Sequence, residues 1–156
     1  MLTTLHCNDA ASAIARLDEM GVEPFMVSAS LIGIVSQRLL RRVCSHCRIA
    51  YQPSSEDLGR FGLLASHETA VTFYKAHPPD HGPGACPHCQ GNGYKGRVGI
   101  HELMVNCEDI VEAINKEADT AELKRLAMKS GMKTLHQDSM IKVREGHSSM
   151  AEALST

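Results

Sequence analysis

A chain of 156 residues has room for one domain, or for one with a small appendage, and 16 Lys+Arg against 18 Asp+Glu leave a net charge of −2. That balance excludes a sequence-blind nucleic-acid binder, which carries a large basic excess. With 43% apolar and 22% charged residues the composition is globular and not that of a disordered tail, and 4% aromatics without Trp leave few platforms for stacking bases.

Met1–Leu5 reads as a short β-strand that needs partners from elsewhere. Asn8-Asp9 can cap a following helix, with Ala13, Ile14, Leu17 and Met20 at helical spacing and Gly21 as the stop. Glu23-Pro24 opens a second helix, predicted to run to about Leu40. Phe25, Val27, Leu31, Ile32, Ile34, Val35, Leu39 and Leu40 make it apolar on nearly every side, so it should be buried on several faces. The longest uncharged stretch, Pro24 to Gln37, falls short of the about 20 residues of a membrane span. No basic segment with an apolar run behind it marks a secretory leader.

Composition shifts after Arg42. Five of the six prolines (Pro53, Pro78, Pro79, Pro83, Pro87) and five of the six aromatics (Tyr51, Phe61, Phe73, Tyr74, Tyr94) lie in the following stretch. It reads as a separately built module of loops and short strands, with one short helix at Ser55–Phe61 and a turn-rich tip at His77–Gly84. Val98, Ile100, Leu103 and Val105 suggest extended chain. Helices then return at Glu108–Glu117, Asp119–Ser130, Thr134–Glu145 and from Ser148, punctuated by Gly131 and Gly146. The expected division is 1–42, 43–97 and 98–156.

Cys44-Ser-His-Cys47 and Cys86-Pro-His-Cys89 carry the strongest chemistry. Two residues between cysteines let both thiolates face one ion, and Cys44, Cys47, Cys86 and Cys89 together would close a tetrahedral zinc shell with Zn–S near 2.3 Å. Residues 48–85 between the pairs exceed the about 15–20 of a compact ribbon, so the metal would clasp a longer excursion. Gly91-Asn-Gly93 allows the tight return of a knuckle. A redox dithiol and two unmetallated turns are the competing readings. His46 and His88 sit between the cysteines, point away and read as exposed polar residues; Cys7 and Cys107 read as small, partly buried bystanders. No glycine is followed by Lys, so there is no phosphate-binding loop, and neither G-x-S-x-G nor H-E-x-x-H occurs. The residues alone do not make a complete enzyme.

Several longer motifs stand in a familiar order. Thr4-Leu5-His6-Cys7-Asn8-Asp9-Ala10 with Ala13–Leu17 resembles a histidine box. Met20–Phe25, Gln37–Cys44, Cys86–Ile100, Gly131–Leu135 and Glu145-Gly146 continue the match, which is weakest between Gln52 and Pro83. The chain resembles the type II secretion and type IV pilus assembly ATPases (general secretion protein E and pilus protein B type).

That resemblance implies an α/β fragment: the C-terminal part of a RecA-like P-loop core, helix-rich here, with a four-cysteine zinc module and a helical C-terminal region. The family's Walker A and Walker B motifs precede its histidine box, so the chain by itself is expected not to hydrolyse ATP. His6 would sense the terminal phosphate or hold nearby catalytic acids, and Arg16 would orient phosphates or a neighbouring subunit. Cys7 stands where the family usually has Thr. The four cysteines match the family's Zn2+ site one by one, and the parent protein would bind ATP and Mg2+.

The implied partners are the upstream part of the same ATPase, the other subunits of a hexamer and a platform protein of the inner membrane, with no nucleic acid. The implied location is cytoplasmic, peripheral to that membrane. Arg38, Arg41, Arg42 and Arg48 would meet acidic partners or headgroups, or form a solvated face. A free-standing zinc interaction module is the alternative. A third reading is a chaperone-type or ribbon-type nucleic-acid zinc finger; the run Cys86–Gly93 resembles the chaperone type, although only the second pair has the glycines.

Overall fold

A computed structural model describes residues 2–60 and 71–156. In chain order the elements are α1 (Ala10–Glu19), α2 (Pro24–Ser30), β1 (Gly33–Val43), β2 (Ile49–Tyr51), α3 (Ser55–Arg60), β3 (Phe73–Lys75), β4 (Tyr94–Val105), α4 (Glu108–Asn115), α5 (Thr120–Lys129), α6 (Leu135–Arg144) and α7 (Met150–Leu154). β1 pairs with β4, and β2 pairs antiparallel with β3 in the register Ile49↔Lys75, Ala50↔Tyr74, Tyr51↔Phe73. The chain forms two compact units, Met1–Arg38 with His101–Leu135, and Leu39–Ile100 with His136–Thr156. Among the described residues no helix is long and apolar enough to cross a membrane.

In the first unit Asp9 caps α1 by accepting from the Ser12 amide at 2.8 Å. The Ser12 hydroxyl, the Ser12 amide and Lys124 together hold the Asp9 carboxyl below its ordinary range, outweighing a larger opposing effect of burial. The core joins Ala10, Ala11 and Ile14 of α1 to Val27, Met104 and Ile110, with Ile114, Leu123 and Ala127 beyond. Within it lies a carboxylate. Glu102 is 1% exposed. Its Oε1 accepts from the Ala10 amide at 2.9 Å and its Oε2 from the Leu135 amide at 3.2 Å. Both donors are first-turn amides of helices, which have no partner inside the helix, so one buried side chain satisfies two helix starts.

Two sequence expectations fail here. Residues 2–7 belong to no helix or strand, because the expected first strand finds no pairing partner among the described residues. The helix expected from Pro24 to Leu40 stops at Ser30, and the chain continues as β1. Asn106 ends it: its side-chain Nδ2 donates to the Ser28 carbonyl at 2.9 Å and the Leu31 carbonyl at 2.7 Å, which a longer helix would use internally. β-branched Ile32, Ile34 and Val35 then favour the extended state.

In the second unit Phe73, Val143, Met150 and Ala153 form a small core flanked by Tyr51, Leu58, Val71 and Met140. α3 stands where the sequence places a short helix, and the expected Phe61 end lies outside the described residues. β4, α4, α5, α6 and α7 also agree with the pattern.

Candidate metal centre

Each C-x-x-C pair sits on a tight turn of the second unit. In the first turn the Arg48 amide donates to the Cys44 carbonyl at 2.9 Å. In the second, Gln90 takes φ 54°, Gly91 φ 76° and Gly93 φ 73°, and the Gly91 amide donates to the Cys86 carbonyl at 3.1 Å. The Cys44 amide donates to the Gly93 carbonyl at 2.9 Å and ties the two turns together.

The two glycines do more than turn the chain. A Cβ on Gly91 would lie 1.6 Å from the Asp80 carbonyl oxygen, and one on Gly93 would lie 2.3 Å from that of His77. The Asp80 amide also donates to the Gly91 carbonyl at 3.0 Å. The turn-rich tip therefore rests on the second knuckle, and no side chain fits between them.

The four cysteine sulfurs lie within 4.8 Å of one another, with Cys44 and Cys86 at 4.0 Å and Cys47 and Cys89 at 3.6 Å. All four are free thiols. Sulfurs at the corners of a tetrahedron about 2.3 Å from a central ion are about 3.8 Å apart, so the spacing suits a tetrathiolate ion and is far from a disulfide's about 2.05 Å. Cys44 and Cys89 are buried, Cys47 and Cys86 half-buried. The Gly93 amide donates to Cys89 Sγ at 3.3 Å.

The thiols are electrostatically unequal. The backbone amide of Cys89, with that of His88, lowers Cys86 to about 7. Burial and hydrogen bonds to the neighbouring thiols push Cys47 up to about 12. Four clustered sulfurs cannot all be anionic on their own, and a divalent cation is the charge that makes them so.

His46 and His88 are exposed as expected, but they also stack face to face, with ring centroids 3.5 Å apart and planes 6° from parallel. Spacing gives the hint, since each His holds the same place in its C-x-x-C. Neither belongs to the cluster of sulfurs.

Of the four arginines, Arg38, Arg41 and Arg48 make separate internal contacts, and Arg42 is exposed. Arg41 grips Glu152, Nη2 to Oε2 at 2.8 Å and Nε to Oε2 at 3.0 Å, and lies over the Tyr94 ring. Its hydrogen bonds hold the Glu152 carboxyl below the usual carboxylate range. Arg48 lies 3.8 Å from the Tyr74 ring centroid and donates to the Gly146 carbonyl at 2.8 Å. Arg38 belongs to the first unit, where its Nη2 donates to the Asn8 carbonyl at 3.4 Å.

The residues assigned to nucleotide also lie in the first unit. His6 is exposed on the segment leading into α1. Arg16, on α1, pairs with Glu19 at 2.8 Å, both side chains more than half exposed. Cys7 and Cys107 are half-buried and apart from the sulfur cluster. Glu102 was not singled out from the sequence; the available signal was a carboxylate in register with Ile100 and Met104 on one strand face.

The family model described as "Type II/IV secretion system protein" matches residues 1–155. The chain is 47% identical over 154 residues to the type IV pilus assembly ATPase PilB of Thermus thermophilus, a match covering 99% of this chain and 16% of that protein. It is 39% identical to the putative type II secretion system protein E of Escherichia coli K12 and 33% identical to the type II secretion system ATPase E of Vibrio cholerae. Both matches cover 99% of this chain and 29% of the relative. The chain thus spans less than a third of the length of these relatives.

Proposed function

We propose, from the premise that the chain belongs to the type II/IV secretion system protein family, that it serves as the C-terminal portion of a hexameric ATPase. The observation that carries this reading is the match of 99% of the chain to ATPases of pilus assembly and secretion. ATP hydrolysis in the intact ring would drive type II secretion or type IV pilus assembly, through an inner-membrane platform protein at the cytoplasmic face. Residues 1–42 would complete a RecA-like core that binds ATP and Mg2+, residues 43–97 would be the metal module, and 98–156 the helical C-terminal region.

Cys44, Cys47, Cys86 and Cys89 would hold Zn2+, which when bound supplies a closed, structural cross-link and leaves no position for substrate. His6 would donate from its imidazole to a terminal phosphate oxygen or to a catalytic acid, and its exposure leaves the ring accessible for that contact. Arg16 would turn from Glu19 toward phosphates or a neighbouring subunit, a modest rearrangement because an exposed pair of this kind contributes only about 0–1 kcal/mol.

The test joins this chain to the segment carrying the Walker motifs. The 156-residue chain should not turn over ATP, and the joined protein should. Robust hydrolysis by the isolated chain would refute the assignment. In the joined protein, His6→Ala should lower kcat about 10²-fold or more with little change in KM. The free-standing zinc module is the second reading, favoured by a sulfur cluster complete within one unit. It would be supported if the joined protein also failed to hydrolyse ATP.

A further inference from the structure

In the first unit, α1, α2, the end of α4 and the start of α5 surround a groove of about 220 Å³. Its floor is apolar: Ile14, Val27, Ile114 and Leu123 lie there, each less than 10% exposed. Its rim carries the exposed carboxylates Asp18, Glu117 and Asp119. No Lys, Arg or His is among the residues that line it.

One rim residue sits where a carboxylate is unfavourable. α1, α5 and α6 each end on a glycine with positive φ: Gly21 at 81°, Gly131 at 102° and Gly146 at 75°. At the matching place after α4 stands Glu117, with φ 54°. Its amide donates to the Ile114 carbonyl at 3.0 Å, and the Ala118 amide donates to the Ala113 carbonyl at 2.9 Å, a helix end that suits glycine. The chain uses glycine at three comparable ends and places an acid beside the groove at the fourth.

We propose that this groove is a docking site for a cationic amphipathic segment of a partner protein. An aliphatic side chain of that segment fills the apolar floor, and flanking Lys or Arg meet Asp18, Glu117 and Asp119. Both requirements follow from the lining: an apolar floor gains from excluding water, and a rim of carboxylates without a cation selects positive charge. The groove is lined by residues of the first unit, and the cysteine cluster belongs to the second.

The test is a methyl-detected NMR titration of the 156-residue chain with an amidated peptide alternating Leu and Arg, against a Leu–Glu peptide of equal length. The Leu–Arg peptide should bind saturably and shift the methyls of Val27, Ile114 and Leu123. Asp18→Lys and Glu117→Lys, both at exposed positions, should each weaken binding at least tenfold. Glu117→Gly should weaken binding while raising the thermal midpoint, a combination that loss of fold cannot produce. Absence of saturable binding, equal affinity for the Leu–Glu peptide, shifts confined to other surfaces, or an unchanged affinity in Glu117→Gly would each overturn the proposal.

Discussion

The first unit packs aliphatic and alanine-rich helix faces into one core, whereas the described residues of the second bury a smaller cluster (Phe73, Val143, Met150 and Ala153) with Leu40, Val43 and Ile100, and hold four clustered thiols. With 4% aromatics in the chain, neither unit can rely on large rings, and Phe73 is the one fully buried aromatic among the described residues. Helices compensate by burying many small contacts. Short strands and loops bury fewer, and a metal held by the four clustered thiols would add a cross-link between distant turns. The first unit should therefore resist metal loss and the second should not.

The sharpest test of that contrast is chelation. Removing the metal, or introducing Cys89→Ser, should unfold the second unit while amide protection persists in α1, α4 and α5. Structural zinc binding is worth about 10–16 kcal/mol in zinc-finger peptides, as much as the about 5–15 kcal/mol of a whole domain's margin. Hydrogen exchange reads this outcome; protection lost equally in both units would erase the distinction. Metal analysis of the purified chain should give one zinc, and less than half an equivalent would sink the assignment.

Core substitutions come next. Phe73→Ala should cost about 3–5 kcal/mol and Ile110→Ala about 2–5 kcal/mol. Both side chains are 0% exposed. With metal bound, denaturant melts should show Phe73→Ala weakening the second unit alone. Glu102→Ala should follow, since it strands two buried helix-start amides at about 1–3 kcal/mol each. If Glu102→Ala melts like the parent chain, the carboxylate is not what joins α1 to the start of α6.

The smallest effect is a pH dependence in the second unit. The Glu152 carboxyl lies below its ordinary value because Arg41 hydrogen-bonds it. Its contribution is thus full above the unfolded value near 4.3 and disappears as pH falls through the lowered folded value. The gap in thermal midpoint between the parent chain and Arg41→Met should be open at neutral pH and close in acid. A gap unchanged by pH would assign the effect to packing on Tyr94.

Both C-x-x-C turns, the cap of α1 and the helices from Glu108 onward were legible because their causes lie within a few residues: C-x-x-C spacing, Asp9 at an N-cap position, glycines at helix ends. The run from Leu31 to Leu40 misled for the opposite reason. Its apolar pattern suits a buried helix as well as a strand, and the choice is made by Asn106 and β4, more than fifty residues away.

By itself the sequence determined the family, the four cysteines that cluster and most helix boundaries, because motif order, cysteine spacing and capping are local properties of the chain. Tertiary structure alone decided where α2 ends, that Glu102 serves two helices, that the tip at His77–Asp80 requires glycines at 91 and 93, and that Arg41 and Arg48 are spent on internal contacts. Each of these is a contact between residues far apart in the chain. Whether such a contact forms depends on which groups must be satisfied once water is excluded, a condition that exists only after the chain has folded.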